Sequence, residues 1–230
     1  MRSFRMGRKV QLKKAWVNNI DCTEQVLSLD SGEKMLYDKL LIATGSRSNK
    51  FGWPGQNLKG VQGLYSYQDL LALEETTKNG INRAVIIGGG LIGIEMAEML
   101  HSRQFPVTIL VRESGYWNNI LPEQESSMIA KHIREYGFDL RLNEQLKEIR
   151  DDGSGRVRSI ITGNGEEINC QLVGLTAGVS PNIEWLKNMP IETDRGIKIN
   201  QHMETNMLLF FFLNSLKFSY IAVQNFIILS

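Results

Sequence analysis

The residues with the clearest chemical potential are the glycines of the segment Gly88-Gly89-Gly90-Leu91-Ile92-Gly93. The pattern GxGxxG is typical of turns that hold the phosphates of a dinucleotide. Gly88 would make the sharp exit from a strand, Gly90 would let the backbone approach a pyrophosphate without a Cβ in the way, and Gly93 would let a helix and a strand pack closely. The free N–H groups of a helix that begins near Leu91 would then face the phosphates.

The glycine pattern alone is weak evidence, so its sequence context decides between a dinucleotide site and a simple packing turn. The apolar segment RAVII precedes it and predicts a strand, LIGIEMAEMLHSR predicts a helix, and PVTILV predicts a second strand. This order of elements forms one βαβ unit, which is the context that dinucleotide binding requires. The sequence therefore predicts a dinucleotide site.

The end of the second strand determines which dinucleotide fits. An acidic residue there would accept a hydrogen bond from the ribose 2′-hydroxyl of NAD, whereas an arginine would suit the 2′-phosphate of NADP. The sequence offers both, as Arg112 and Glu113. Arg112 favours NADP, while Glu113 and the third glycine favour NAD. The prediction is NAD(P)H, with NAD(H) slightly favoured.

Two further residues near the glycine turn each allow two interpretations. Glu95 follows Gly93 by two residues, in the predicted first helical turn. Its carboxylate would either interact with the helix dipole or lie beside the nicotinamide as a catalytic group. Trp117 would either pack at the adenosine end of the cofactor or belong to the core or the surface.

The remaining segments predict the elements around this unit. After it come an amphipathic helix (LPEQESSMIAKHIREYG), a third parallel strand (DLRLN), a three-stranded antiparallel meander (LKEIRDDGSGRVRSIITGNGEEINC) and a buried strand (QLVGLTAG). Before it, QVLSLDSGEKMLY predicts a hairpin, KLLIATG a strand buried on both faces of a parallel sheet, and YQDLLALEETTK a helix. The predicted fold class is α/β.

An internal echo links two distant parts of the chain. LLIATGSRSN, from Leu40 to Asn49, and VGLTAGVSPN, from Val173 to Asn182, both run from an apolar strand through Thr and Gly to an Asn. Two related nucleotide-binding halves would produce such a pair. Coincidence is the alternative, because the echo is short.

Composition excludes several function classes. With 230 residues, of which 42% are hydrophobic, the chain can bury a real core. The net charge of +1 gives no global attraction to nucleic acid or to an anionic membrane. No apolar segment follows the basic residues at the start, so we expect no signal peptide and a cytoplasmic location.

Cysteines and histidines offer no second site. Cys22 and Cys170 lie far apart and form no CxxC pair, so a redox dithiol or a zinc site has no support. His101, His132 and His202 have no paired nucleophile or metal ligand, and we expect them to be structural.

In combination, four motifs resemble the two-dinucleotide flavoproteins, that is, the pyridine nucleotide-disulfide oxidoreductases in the broad sense, including ferredoxin, rubredoxin and nitrite reductase-like members. YDKLLIATGS resembles part of their flavin domain, VIIGGGLIGIEMAE their inserted NAD(P)H domain, LTAGVSPN the return to the flavin domain, and RGIKINQHMETN the strand and turn that come next. The resemblance covers roughly 10–206.

The resemblance implies a Rossmann-like NAD(P)-binding domain, with a parallel sheet and an antiparallel meander, inserted in an incomplete FAD-binding domain. The implied parts are residues 1–50 (partial FAD-binding domain), 51–178 (NAD(P)-binding domain), 179–206 (return segment) and 207–230 (unassigned hydrophobic tail).

The resemblance also implies a set of cofactor-binding residues and a reaction. Glu95 would lie near the nicotinamide, where family members keep a glutamate. The reaction would be hydride transfer from NAD(P)H to FAD, with electrons passed to an unknown acceptor. Residues near FAD would be Val17, Ala43, Thr44 and Gly45, and Gly178 would join the glycine turn, Arg112 and Glu113 as cofactor-binding residues.

Departures from the family pattern leave two functions open. Far fewer residues precede Thr44 than separate Gly88 from Thr176, so the flavin domain's own glycine turn has no room. No Gly or Asp follows Gly196, where the family has a Gly-Asp pair that binds the flavin, and the absent cysteine pair excludes disulfide reduction. The prediction is a fragment of an FAD-dependent NAD(P)H oxidoreductase; the alternative is a non-catalytic NAD(P)-binding module.

The hydrophobic tail allows three interpretations. A membrane anchor needs about 18 continuous apolar residues, and Asn214, Lys217, Gln224 and Asn225 interrupt this segment. The second interpretation is a helix or strand that caps the truncated fold. The third is a chain end unrelated to the family's, from a truncated or misread gene.

Overall fold

A computed structural model of the chain describes residues 13–207, 210–212 and 226–229. It divides into two compact units. Of the described residues, those up to Ser46 and from Pro181 onward form one, which we call the terminal unit, and residues 47–180 form the other, the central unit. The chain thus crosses between the units at residues 46–47 and 180–181. The domain bounds given by the resemblance, and the cofactor assigned to each domain, stay predictions.

The described residues form strands, three α-helices and one short 3-10 helix at Glu184–Leu186. The strands are β1 (Val17–Asp21), β2 (Val26–Leu29), β3 (Lys34–Leu36), β4 (Lys39–Ile42), β5 (Ser46–Ser48), β6 (Val61–Gln62), β7 (Ala84–Ile87), β8 (Val107–Val111), β9 (Asp139–Leu142), β10 (Leu146–Asp151), β11 (Val157–Thr162), β12 (Glu167–Asn169), β13 (Leu172–Leu175), β14 (Val179–Pro181), β15 (Phe210–Phe212) and β16 (Phe226–Leu229). The α-helices are α1 (Tyr67–Thr77), α2 (Leu91–His101) and α3 (Glu123–Glu135).

The central unit is built on a five-stranded parallel sheet with the order β6-β13-β7-β8-β9. Helix α2 connects β7 to β8, and α3 connects β8 to β9, as the βαβ pattern predicts. The chain then forms the antiparallel sheet β10-β11-β12 and returns as β13 on the other side of β7. The predicted α/β class, the parallel sheet and the meander are confirmed.

Strand β7 is buried along its whole length because both faces of the sheet are covered. Ala84 and Ile86 pack in a cluster with buried residues of α2 and α3. Val85 and Ile87 face the other way and pack in a cluster with residues of the meander. A strand covered on both faces needs an uninterrupted apolar sequence, which explains the run that precedes the glycine turn.

The terminal unit contains the antiparallel sheet β1-β2-β3 and the parallel sheet β15-β4-β16. The predicted hairpin turn at Asp30-Ser31-Gly32 is confirmed, and Gly32 adopts a φ of 82° there. The expectation that β4 is buried on both faces is wrong. Burial alternates along β4, since Leu40 and Ile42 are buried while Lys39 is exposed.

Two strands of the hydrophobic tail fall within the described residues. β15 and β16 pair in parallel with β4, one on each side. This pairing is what the alternative of a strand that caps the fold predicts. The interrupting residues Asn214, Lys217, Gln224 and Asn225 lie outside the described residues. Among the helices in the described part of the chain, none is long and apolar enough to cross a bilayer.

Candidate functional site

A cavity of about 700 Å³ lies in the central unit where β7, β8 and β13 end. The strand order reverses at this point, since β8 follows β7 on one side and β13 returns on the other. Ligands of open α/β sheets bind at such a crevice outside the carboxyl ends of the strands. The lining consists of Phe51, Trp53, Trp117 and residues 87–91, 110–113, 119–121, 144–146 and 176–178.

Two glycines of the turn are required by packing within the protein. Gly88 adopts a φ of 108°, and a Cβ there would lie 3.0 Å from the Thr176 carbonyl oxygen. A Cβ on Gly93 would overlap the Gly88 carbonyl oxygen and lie 2.8 Å from the Thr176 hydroxyl. The sharp exit from β7 and the close approach of α2 therefore both need glycine, as the sequence predicts.

Gly90 differs from its neighbours because nothing in the protein requires a glycine there. A Cβ on Gly90 would meet no atom within 4 Å. Its φ of −72° and ψ of 179° are accessible to any residue. Gly90 thus borders the cavity with no protein atom in the space that a side chain would fill.

The N-terminus of α2 is open to an anion. Gly90 is the N-cap, no side chain caps the helix, and the first turn carries no acidic residue. The first helical hydrogen bond runs from the Ile94 N–H to the Gly90 carbonyl oxygen at 3.1 Å. The N–H groups of residues 91–93 therefore have no partner within the helix, and the positive end of its dipole is uncompensated.

Thr176 ties the end of β13 to the glycine turn, a role that the sequence did not reveal. Its hydroxyl lies 3.0 Å from the Ile87 carbonyl oxygen and 3.1 Å from that of Gly88, and its side chain is buried. The sequence showed Thr176 only as part of the internal echo. The only signal for this role was the buried-strand pattern that placed β13 beside β7.

Trp117 lines the cavity and also contacts the turn. Its indole N–H donates a hydrogen bond of 2.6 Å to the Gly89 carbonyl oxygen. The sequence left Trp117 either at the adenosine end of the cofactor or in the core or surface. The structure adds the hydrogen bond to the glycine turn, which neither interpretation contains.

Tyr116 closes the turn from the core side. A Cβ on Gly89 would lie 2.8 Å from Cε2 of the Tyr116 ring, so this glycine too is required by packing. The Tyr116 hydroxyl is buried and has no hydrogen-bond partner among the described residues. Burial, helped by the negative charge of Glu98, raises the pKa of Tyr116 to about 12.

Replacing Tyr116 by phenylalanine is expected to stabilise the protein by about 1 kcal/mol, because an unpaired buried hydroxyl carries a desolvation penalty. Urea unfolding measures the change. The matched control is Tyr37→Phe, since the Tyr37 hydroxyl donates a hydrogen bond of 3.3 Å to the Asp21 carbonyl oxygen and its loss should destabilise. A destabilised Tyr116→Phe variant would contradict the expectation.

Arg112 and Glu113 lie at the end of β8, where cofactor selectivity is predicted. The Arg112 Nε donates a hydrogen bond of 2.7 Å to Glu113 Oε1. Both residues line the cavity, and Arg112 is 80% exposed in its side chain against 40% for Glu113. The carboxylate therefore lies closer to the body of the protein, and the guanidinium points away from it into solvent.

Glu95 is exposed and is not among the residues that line the cavity. Its interpretation as a partner of the helix dipole is wrong. Helix α2 begins at Leu91, so Glu95 is in the second turn, whereas the dipole acts on charges in the first turn. Its role beside the nicotinamide stays a prediction.

The predicted flavin residues lie in the terminal unit. Asn182 braces the loop after β4: its side-chain amide donates to the Thr44 carbonyl oxygen at 3.1 Å, and its backbone N–H donates to that of Gly45 at 3.0 Å. The Thr44 hydroxyl donates to the Asn182 carbonyl oxygen at 2.9 Å. Ala43 is half-buried and Gly45 exposed, while Val17 packs against the core of this unit. Their contact with FAD stays a prediction.

Within the central unit, Asn49 braces the loop after β13 in the same way. Its backbone N–H donates to the Gly178 carbonyl oxygen at 3.0 Å, and its side-chain amide donates to that of Ala177 at 3.4 Å. Each asparagine of the internal echo therefore hydrogen-bonds to the backbone at the glycine of the other segment, Asn49 at Gly178 and Asn182 at Gly45. The two segments make the same pair of bonds, so the echo is structural.

The remaining candidate side chains have structural surroundings. Cys170 is buried, and burial raises the pKa of its thiol to about 12. The His101 ring packs on Phe138 and that of His132 on Tyr136. Over the described ranges, no group of three or more His, Cys, Asp or Glu side chains is arranged to hold a metal ion.

Comparison with known proteins gives a family match over most of the chain. The family described as pyridine nucleotide-disulphide oxidoreductase matches residues 1–211. NADH-rubredoxin oxidoreductase of Clostridium acetobutylicum is 30% identical over 192 residues, which are 84% of this chain and 46% of that protein. Rubredoxin-NAD(+) reductase of Acinetobacter baylyi is 27% identical over 200 residues, which are 85% of this chain and 51% of that protein.

Solved structures show the same fold. A ferredoxin reductase from Rhodopseudomonas palustris superposes with a TM-score of 0.80 at 24% identity, over 88% of this chain and 50% of that one. An FAD-dependent pyridine nucleotide-disulphide oxidoreductase from Desulfovibrio vulgaris gives a TM-score of 0.75 at 26% identity, over 86% of this chain and 52% of that one. The chain spans only 46% to 52% of the length of these four proteins.

Proposed function

The chain belongs to the pyridine nucleotide-disulphide oxidoreductase family, and from that membership we propose that its central unit binds NAD(P)H as the hydride donor of an FAD-dependent oxidoreductase. Electrons would pass from the flavin to a further acceptor. The free cysteines Cys22 and Cys170 are compatible with a reducing compartment, and we propose the cytoplasm.

The observation that carries this proposal is the open position at Gly90. At each of the other three glycines of the turn, an added Cβ would be crowded by Thr176, Ala177, Tyr116 or the turn itself, whereas Gly90 faces open space at the uncapped start of α2. A pyrophosphate placed there would accept hydrogen bonds from the free N–H groups and would benefit from the helix dipole. The residues present therefore fit the phosphate part of a dinucleotide.

The cavity also fits the adenosine part of the ligand. It extends from the turn to Arg112 and Glu113 and is bordered by Phe51 and Trp53. A cavity with apolar and aromatic walls and a few placed polar groups is typical of a cofactor site. In this arrangement the chain's own residues bind and orient the dinucleotide, and Glu95 is proposed as the residue near the nicotinamide.

The flavin supplies the hydride-accepting chemistry when it is bound. Val17, Ala43, Thr44 and Gly45 are the residues proposed to border it. Over the described residues of the terminal unit, no α-helix begins that could receive its pyrophosphate. The described part of that unit therefore fits the flavin only in part, and we derive no step through it.

This partial fit supports a second candidate function. A chain that holds NAD(P)H without flavin would be a non-catalytic nucleotide-binding module. It requires only the central unit, because the five-stranded sheet, the glycine turn and the residues that line the cavity all lie within residues 47–180.

The visible absorption spectrum distinguishes the two functions. The purified chain is incubated with FAD, desalted and then mixed with NADH. A retained flavin band that bleaches with NADH supports the oxidoreductase. NADH binding without a flavin band supports the nucleotide-binding module, and failure to bind either cofactor contradicts both.

The ion pair at the end of β8 leads us to expect preference for NADH over NADPH. Glu113 would accept a hydrogen bond from the ribose hydroxyl and would repel a 2′-phosphate. Glu113→Gln is therefore expected to weaken NADH binding roughly tenfold, the size of one lost hydrogen bond to a charged group, and to weaken NADPH binding less. Titration of both nucleotides measures the ratio.

Arg112→Ala is the matched comparison for this preference. Because Arg112 extends into solvent and already pairs with Glu113, its loss should change NADH affinity little. A larger loss for NADH in Arg112→Ala than in Glu113→Gln would contradict the assignment.

A further inference from the structure

We propose that Trp117 is a positioning residue, which fixes the Gly89–Gly90 peptide group in its ligand-binding orientation before a dinucleotide arrives. The proposal rests on the proposed function, since it concerns the same phosphate-binding turn. It assigns to the Trp117 indole N–H a task that the glycines cannot perform themselves.

The Trp117 indole is hydrogen-bonded to the glycine turn. Glycine permits many backbone conformations, so a run of three glycines does not hold one orientation without help. The Trp117 Nε1–H donates to the Gly89 carbonyl oxygen at 2.6 Å. In a trans peptide the carbonyl and the next N–H point in opposite directions, so fixing the Gly89 carbonyl also fixes the Gly90 N–H.

The backbone of Trp117 adopts an unusual conformation. Its φ of 57° lies in the left-handed region, which is unfavourable for a bulky residue. The turn that follows holds it there, because the N–H groups of Ile120 and Leu121 donate to the Trp117 carbonyl oxygen at 2.9 and 2.8 Å. Such strained backbone persists only where surrounding contacts determine it, and it clusters at ligand sites.

The Trp117 side chain contacts both the core and the cavity. Trp117 is partly buried against the core cluster that contains Tyr116, and it also lines the cavity. One face of the residue is thus anchored in the core while its N–H reaches the turn. A donor held in this way lowers the entropy that a ligand must otherwise remove from a flexible turn.

The test compares Trp117→Phe with the wild-type chain for NADH, ADP-ribose and adenosine. Phenylalanine keeps an aromatic ring and removes the N–H donor. We expect the Kd for NADH and for ADP-ribose to rise about 3- to 10-fold, the effect of one neutral hydrogen bond. Adenosine has no phosphate, so its affinity, followed by ligand-observed NMR, should not change.

The matched control is Trp185→Phe in the terminal unit. Trp185 also donates its indole N–H to a backbone carbonyl, that of Asn182, at 3.0 Å. Its replacement removes the same type of bond away from the glycine turn, and NADH affinity should stay at the wild-type value. An equal loss in both variants would overturn the proposal, because it would indicate a general loss of stability.

Other outcomes separate this proposal from the function on which it rests. A wild-type chain that binds no NADH contradicts the proposed function. Wild-type binding with an unaffected Trp117→Phe variant overturns only the role of Trp117. An equal loss for adenosine and NADH also overturns it, since that result indicates a ring contact with the base.

Hydrogen exchange of the Trp117 indole N–H tests the proposal in the wild-type protein, without a variant. In ¹⁵N-labelled protein the Trp117 indole N–H should exchange slowly with solvent before any nucleotide is added. Trp16, which is 68% exposed, provides the fast-exchanging reference. Equal exchange rates for the two indoles would overturn the proposal.

Discussion

Gly90→Ala is expected to abolish most NADH binding while leaving the stability of the fold unchanged. A Cβ at this position would meet no protein atom within 4 Å, and the backbone angles suit alanine. The methyl group would instead occupy the space through which the pyrophosphate approaches the turn. We expect the Kd for NADH to rise roughly 100-fold, which corresponds to about 2.7 kcal/mol.

Calorimetric titration measures the loss of binding, and thermal unfolding of the free variant checks its stability. The melting temperature should stay within about 2 °C of the wild type, because no contact is lost or strained. Wild-type affinity in Gly90→Ala would mean that the phosphates do not approach this part of the turn.

Gly93→Ala, unlike Gly90→Ala, is expected to destabilise the fold, although the two glycines are only three residues apart. A Cβ on Gly93 would overlap the Gly88 carbonyl oxygen and crowd the Thr176 hydroxyl. Helix α2 would have to move away from β7, and overpacking of this kind costs about 1–3 kcal/mol. For a chain of this size we expect the melting temperature to fall by roughly 3–10 °C.

Thermal unfolding without ligand isolates this effect, and Gly90→Ala serves as its matched control. The same methyl group is added at the same turn, so only the surroundings of the two positions differ. A Gly93→Ala variant as stable as the wild type would contradict the close packing of α2 on β7.

The local elements around the site could be predicted because their signals lie in short stretches of sequence. The apolar run before Gly88 predicts a strand, and Ala84–Ile87 is that strand. The glycines then indicate a turn, and the βαβ order defines its context. The family resemblance rested on the same stretches.

Contacts between distant segments could not be predicted in this way. The hydroxyl of Thr176 and the indole of Trp117 both reach the glycine turn, but their partners are fixed only by the folded sheet and by the loop after β8. The internal echo drew attention to Asn49 and Asn182, yet each bonds to the opposite segment. Which segment each asparagine bonds to depends on where the chain crosses between units, and a local sequence pattern does not encode that crossing.

The error at Glu95 arises within a helix whose predicted start, near Leu91, is confirmed. The sequence placed this residue in the first turn of α2, where a carboxylate would interact with the dipole. The helix begins at Leu91, after an N-cap at Gly90. Glu95 is the fifth residue of this helix, so its charge lies beyond the first turn, where the helix dipole acts.

The central claim is that the glycine turn of the central unit binds a nicotinamide dinucleotide, and direct titration of the full chain with NADH tests it. We predict saturable binding with a Kd below about 1 mM, in the range typical of enzyme ligands, displaced by ADP-ribose and greatly weakened in Gly90→Ala. Absence of binding at millimolar NADH, or binding that Gly90→Ala leaves intact, would contradict the claim.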